Sequence, residues 1–140
     1  MGLNWIYNDK DFTEDLIGEH YGFVYKITNL TNNKKYIGKK LFYFSRTKKV
    51  KGKKKRYKVL SDWQTYYGSS DTLTQDVLSY GRENFSREIL YLCKTKGECN
   101  YLEAKEQFTR SVLESAEYYN TWIMVKVHRT HIKALNNELH

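Results

Sequence analysis

The stretch "GFVYKITNLTNNKKYIG", residues 22–38, decides the reading of the fold. "GFVYKIT" and "KKYIGKKLFYF" are rich in β-branched and aromatic residues, so both read as strands. The Asn-rich "NLTNNKK" between them tolerates tight-turn backbone, which makes the whole a predicted hairpin. Each strand carries a phenol near a glycine: Tyr25 after Gly22, and Tyr36 before Gly38. In a strand, Tyr36, Gly38 and Lys40 share one face. Gly38 puts no side chain beside the phenol, which leaves room for a phosphate to approach the backbone. A free phenol, with a pKa of about 10, is a poor base at neutral pH. A cation beside it would lower that value, and Lys40 is placed to do so. The two tyrosines either pack in a sheet or bring two hydroxyls to one spot.

Working outward, "DFTEDLIGE" reads as a short helix capped by Asp11 or Thr13 and stopped by Gly18. "SDWQTYYGSS" is aromatic and turn-like. "SDTLTQDVLSYG" has a helical pattern, with Ser70 or Asp71 as cap and Gly81 as stop. "FSREILYLC" reads as a third strand. "NYLEAKEQFTRSVLESAEYYN" is the clearest helix, with Asn100 as its cap. "TWIMVKV" fits either a fourth strand or a helix start, and "HRTHIKALNNELH" reads as a helical tail. The expectation is an α+β fold: a small central antiparallel sheet of three or more strands, flanked by helices, in one domain spanning residues 1–140 with a short C-terminal extension.

Composition narrows the function. No apolar run approaches the ~18 residues of a membrane span, and the N-terminus does not read as a signal peptide. Cys93 and Cys99 are too few for a disulfide framework or a zinc site, and read as buried or incidental thiols in a reducing compartment. The formal charge is +8, unevenly spread. Residues 39–58 hold 11 of the 24 basic residues and none of the 16 acidic ones, so the other 120 residues carry −3. Such a run repels itself and calls for a polyanion. It reads as a basic loop in which Lys39, Lys48, Lys49, Lys51, Lys53, Lys54, Lys55, Arg56 and Lys58 meet a phosphate backbone. Trp63 and Tyr67 are candidates to stack on bases, although Trp63 suits a small core beneath the loop better.

The ordered set "GFVYKI", "KKYIG", a downstream arginine, a glutamate on a later helix and "YYN" resembles the GIY-YIG nuclease family. Within it, "YIGKK", "SDWQTYYGSS" and "NYLEAKEQF" are similar to short phage-encoded endonucleases of the homing type. Tyr36-Ile37-Gly38 matches the second motif letter for letter, whereas Gly22-Phe23-Val24-Tyr25 is a degenerate form of the first. The resemblance implies that Tyr25 and Tyr36 both lie in the active site, one of them on the nucleophilic water. It implies Arg46 as the catalytic arginine, with Arg56 as competitor, and Asn120 as the terminal asparagine. The family's usual histidine is missing between Tyr36 and Asn120; Tyr66 or Tyr67 stands in, and the general acid is not identified.

The glutamate requires a choice between Glu103, Glu106 and Glu114. Glu106 neighbours Leu102 and Leu113 at helical spacing, so it reads as bordering the apolar face. Glu103, Gln107, Arg110, Ser111 and Glu114 read as a solvated face. Glu106 is therefore the expected ligand of a single Mg2+ or Mn2+, which takes few carboxylates and keeps waters. The implied activity is metal-dependent hydrolysis of double-stranded DNA in the cytoplasm, of a phage-infected host if phage-encoded. A structure-specific repair nuclease and a non-catalytic nucleic-acid binder are the alternatives. Target site, nicking against double-strand cutting, and oligomeric state are left open by the sequence.

Overall fold

The computed structural model describes residues 3–125 and 129–132. Its centre is β3 (Gly22–Asn29), in which every residue except Lys26 is buried. β3 pairs antiparallel with β4 (Lys34–Leu41) on one side and with β7 (Phe85–Cys93) on the other. Two short N-terminal strands extend the sheet: β1 (Ile6–Tyr7) runs parallel to β7, and β2 (Lys10–Asp11) pairs antiparallel with β1. The order is β2-β1-β7-β3-β4. The sheet is thus mixed rather than purely antiparallel, because the N-terminal segment adds strands too short to leave an alternating signature.

The β3–β4 hairpin forms where the sequence placed it. The Asn29 side-chain oxygen accepts hydrogen bonds from the Thr31 amide and hydroxyl at 3.0 and 2.6 Å, and Asn33 takes a left-handed φ of 63°. Asparagine closes such turns because its short amide substitutes for backbone partners.

Side-chain alternation along β3 builds two cores. Phe23, Tyr25 and Ile27 face an aromatic cluster with Trp5, Phe12, Phe42 and Trp63, closed by Leu73 and Val77 of α1 (Asp71–Tyr80). Val24 faces Ile37, Cys93, Cys99 and Leu102 on the other side, under α2 (Lys96–Thr109). α1 has the expected boundaries: the Ser70 hydroxyl accepts from the Leu73 amide at 3.3 Å, and Gly81 ends it at φ 89°. α2 is displaced from its sequence prediction. Thr95, whose hydroxyl accepts from the Glu98 amide, caps it instead of Asn100, and it ends at Thr109, with Ser111 at φ 52° just beyond. "DFTEDLIGE" contracts to a single 3₁₀ turn (Glu14–Leu16). Residues 121–125 hold neither strand nor helix; 126–128 and 133–140, with most of the expected tail helix, lie outside the described residues.

The largest departure is the basic segment. It is not a loop. β5 (Tyr43–Val50) and β6 (Lys53–Leu60) form a two-stranded antiparallel ribbon in full register, from Tyr43↔Leu60 to Val50↔Lys53. Lys51 and Gly52 close it with φ of 52° and 79°, the doubly left-handed turn that matches strand twist. The lysines hid this strand pattern, because they occupy both faces and abolish alternation.

Trp63 is 1% exposed and packs edge-on against Phe12 and Phe42. It is a core residue and not a base-stacking one, as its position beneath the ribbon's root requires. Phe42, fully buried, stacks on Phe12 and contacts Phe23 as well. Phe42→Ala should cost about 3–5 kcal/mol, read as a lowered urea midpoint at unchanged slope.

Candidate active site

β4 is an edge strand, and the site forms along its open side. Outward-facing backbone groups of an edge need partners when covered. Lys35 finds them in the chain itself: its amide donates to the Glu117 carbonyl at 2.8 Å, and its carbonyl accepts from the Tyr119 amide at 2.7 Å. Ile37 is served by side chains. Its amide donates to Asn120 Oδ1 at 3.0 Å, and its carbonyl accepts from Asn120 Nδ2 at 2.8 Å and Gln107 Nε2 at 3.0 Å. Beyond it, Lys39 donates from Nζ to the Glu103 carboxylate at 3.3 Å, and the Lys39 amide acts on the same carboxylate.

Gly38 lies within this row, and its missing side chain has a definite function. A Cβ there would sit 2.5 Å from Tyr25 Oη and 2.9 Å from the Tyr36 ring. The two phenols are therefore packed against the backbone itself, with ring centroids 6.2 Å apart. Tyr66, from the segment after the 3₁₀ turn Trp63–Thr65, completes a cluster of three, its ring edge-on to Tyr25 at 6.0 Å. The β3–β7 ladder slips at this point. Val24 pairs with Tyr91 but Tyr25 with Ile89, which leaves Leu90 as an extra residue. Such bulges re-aim side chains beside functional sites.

The electrostatics differ from the sequence expectation. Burial pushes the Tyr25 phenol well above its ordinary range, and the neighbouring Tyr66 and Tyr36 hydroxyls add to the shift. Burial also raises Tyr36, partly offset by the hydrogen bond it makes with the Ser69 hydroxyl at 2.9 Å. Lys40 does not depress either phenol. Its Nζ pairs with Asp62 at 2.7 Å and sits 4.0 Å above the Tyr66 ring and 5.1 Å from that of Phe44. Both phenols therefore hold their protons at neutral pH. Burial raises the Glu103 carboxyl too, against the lowering pull of Lys39.

The glutamate choice reverses. Glu106 points away from the phenols: it accepts from the Tyr91 hydroxyl at 2.9 Å and pairs with Arg110 at 2.9 Å. Glu103 is the carboxylate whose charge reaches both Tyr25 and Tyr36. The face holding Glu103 and Gln107 is polar because it meets the bare edge of β4, not because it meets water. Gln107 is buried. A pair of hydrogen-bonding side chains at i and i+4, set against an edge strand, was the signal available in the sequence.

The other expected residues are distributed as follows. Tyr25, Tyr36 and Lys40 come together. Asn120 adjoins them, but its whole carboxamide is engaged by Ile37, so it positions the strand. Arg46 stands at the start of the ribbon, its guanidinium 5.2 Å from the Phe44 ring that Lys40 also meets. Arg56 lies opposite Thr47, on the ribbon's other face. Lys39 is tied to Glu103. Lys48, Lys49, Lys51, Lys53, Lys54, Lys55 and Lys58 are all exposed on the ribbon or its turn. Tyr67 is half-buried between Arg82 and the buried Arg87, 4.2 Å from the latter. A polar cleft of about 270 Å³ opens beside Tyr36, lined by Ser69, Asp71, Asn120 and Trp122. Trp122, 63% exposed at this cleft, is the tryptophan available to a ligand.

Residues 5–123 match the family model described as "Putative endonuclease segE, GIY-YIG domain". The chain belongs to this GIY-YIG family. A protein of Enterobacteria phage T4 described as "Putative endonuclease segE" is 38% identical over 100 residues, which are 71% of this chain and 40% of that relative. The GIY-YIG chain thus spans well under half the length of the curated relative it matches. No solved structure matches it. Among its described residues no helix is long and apolar enough to cross a membrane, and no group of three His, Cys, Asp or Glu side chains is placed to hold a metal.

Two measurements check this geometry. Gly38→Ala forces a methyl group into the Tyr25 phenol, which the core holds fast, and should destabilise by about 1–3 kcal/mol in urea unfolding. In an alkaline titration of phenolate absorbance, Tyr25→Phe should remove nothing from the ordinary tyrosine step, because Tyr25 stays protonated through it.

Proposed function

We propose that this chain is a DNA endonuclease that hydrolyses phosphodiester bonds at the exposed edge of β4, with one Mg2+ or Mn2+ per site. The observation that carries the reading is the cluster of Tyr25, Tyr36 and Tyr66 beside Gly38, whose missing side chain lets the two hairpin phenols pack on the backbone, with Lys40 over the Tyr66 ring and the Glu103 charge reaching Tyr25 and Tyr36.

Cleavage needs a held water, charge relief on the phosphate and a proton for the leaving oxygen. Tyr36, half-exposed at the polar cleft, is the phenol able to touch substrate. Its raised pKa makes it a hydrogen-bond donor to a phosphate oxygen and a holder of the attacking water. Tyr25 is fully buried and acts through its neighbours as a positioning residue. Lys40 supplies positive charge beside the cluster, and Arg46, one aromatic ring further out, gives bidentate contact to phosphate oxygens. Asn120 and Gln107 hold the strand that carries these groups.

The residues present fit a sparsely liganded cation. Glu103 is a single partly buried carboxylate whose paired cation, Lys39, is one a metal can replace. Magnesium takes one or two carboxylates and fills its remaining positions with water and phosphate oxygens. When bound, it supplies Lewis-acid activation of water and charge stabilisation. The phage relative, described as an endonuclease, supports a phage-encoded enzyme; we extend this to a homing type acting on double-stranded DNA in the host-cell cytoplasm.

Supercoiled plasmid incubated with Mg2+ should be converted to nicked or linear forms, and EDTA should stop this. Glu103→Ala and Tyr36→Phe should each slow conversion by about 10²-fold or more, while Glu106→Ala stays within a few-fold of the parent. Full activity of Glu103→Ala would overturn the assignment.

A further inference from the structure

The β5–β6 ribbon has features that simple phosphate contact does not explain. From Ser45 to Lys58 it is exposed throughout. In an antiparallel pair, opposed residues share a face, so the register sorts its side chains into two sets. One face carries Phe44 and Val59, Arg46 and Tyr57, then Lys48 and Lys55. The other carries Ser45 and Lys58, Thr47 and Arg56, then Lys49 and Lys54. Both faces are cationic, and acids are absent from both. Two pairs, Lys48↔Lys55 and Lys49↔Lys54, set like charges directly opposite each other, which weakens the ribbon. An arm laid on the outside of a nucleic acid needs cations on one face only. An arm cationic on both faces is matched by anions on both sides.

We infer that the ribbon inserts into the major groove of B-form duplex DNA, between the two phosphate walls. This rests on the proposed DNA substrate and specifies how it is held. The major groove is about 12 Å wide and admits a two-stranded β-ribbon. Six exposed residues per strand span about 20 Å, or about six base pairs at ~3.4 Å each. One face is continuous with the site, since Lys40 and Arg46 flank the same Phe44 ring. The phosphate strand gripped by that face therefore leads toward Tyr36. The opposite face, with Lys58, Arg56, Lys49 and Lys54, meets the other phosphate wall.

The test is fluorescence anisotropy on a labelled DNA duplex across a salt series, with parent, Lys48→Gln/Lys55→Gln and Lys49→Gln/Lys54→Gln chains. Each double variant removes a repulsive pair, so both should melt no lower than the parent at low salt. Insertion predicts that both lower the slope of log affinity against log salt by about 1.8, at ~0.9 per phosphate. Loss from one face alone overturns it. An RNA duplex of the same length, whose major groove is deep and narrow, should bind at least about tenfold more weakly. Equal binding overturns insertion, as does displacement by the minor-groove ligand netropsin. Plasmid cleavage, run in parallel, separates the two ideas. Two-faced slope loss without cleavage removes the nuclease reading and keeps the ribbon's, and one-faced loss with cleavage does the reverse.

Discussion

The unpaired edge of β4 is the constraint on which the rest of this structure depends. A strand on the rim of a sheet presents backbone donors and acceptors that are costly to bury unmatched. Here three successive outward residues, Lys35, Ile37 and Lys39, are each matched by a different device: a bridging segment, two carboxamides, and a carboxylate. The devices come from α2 and from the chain that follows it. Closing the edge therefore also fixes where Glu103 stands relative to the phenols. Tyr119 reinforces this from below. Its hydroxyl donates to Asp76 of α1 at 2.6 Å and accepts from Asn29 at 3.1 Å, so helix, hairpin loop and edge are joined at one residue.

Much of this was legible in the sequence and some was not, for identifiable reasons. The tyrosine hairpin, α1 with its Ser70 cap and Gly81 stop, and β7 follow from local patterns that the tertiary structure reinforces. The position of Glu103 does not. An amphipathic wheel treats polar residues as solvent-facing, but Glu103 and Gln107 face an edge whose own polarity makes them welcome. The same blindness applied to Asn120, which reads as a helix-ending or chemical residue until the Ile37 backbone is seen to occupy both ends of its amide. The ribbon leaves no strand pattern in the sequence because charge on both faces erases the period-two signal. Trp63 fell where the aromatic core requires it, and the exposed Trp122 had no local pattern to mark it.

The buried phenols give the site a particular electrostatic character. Beyond burial, Tyr66 and Tyr36 raise the ionisation cost of Tyr25, Tyr66 raises that of Tyr36, and Glu103 adds a negative field at both. A cluster of neutral donors beside one carboxylate is suited to accepting a phosphate together with its counterion. Lys40 lies at its margin, already partnered by Asp62, so substrate has to compete for it.

Among the described residues, the ribbon also leaves two long backbone rims with no neighbouring strand. Such rims invite pairing between molecules, and closely spaced lysines prevent it by mutual repulsion. In this chain the charge proposed to recruit a polyanion also keeps the molecules apart from one another. Once a nucleic acid neutralises it, that protection is gone, and whatever covers the ribbon must shield its rims as well as its charges.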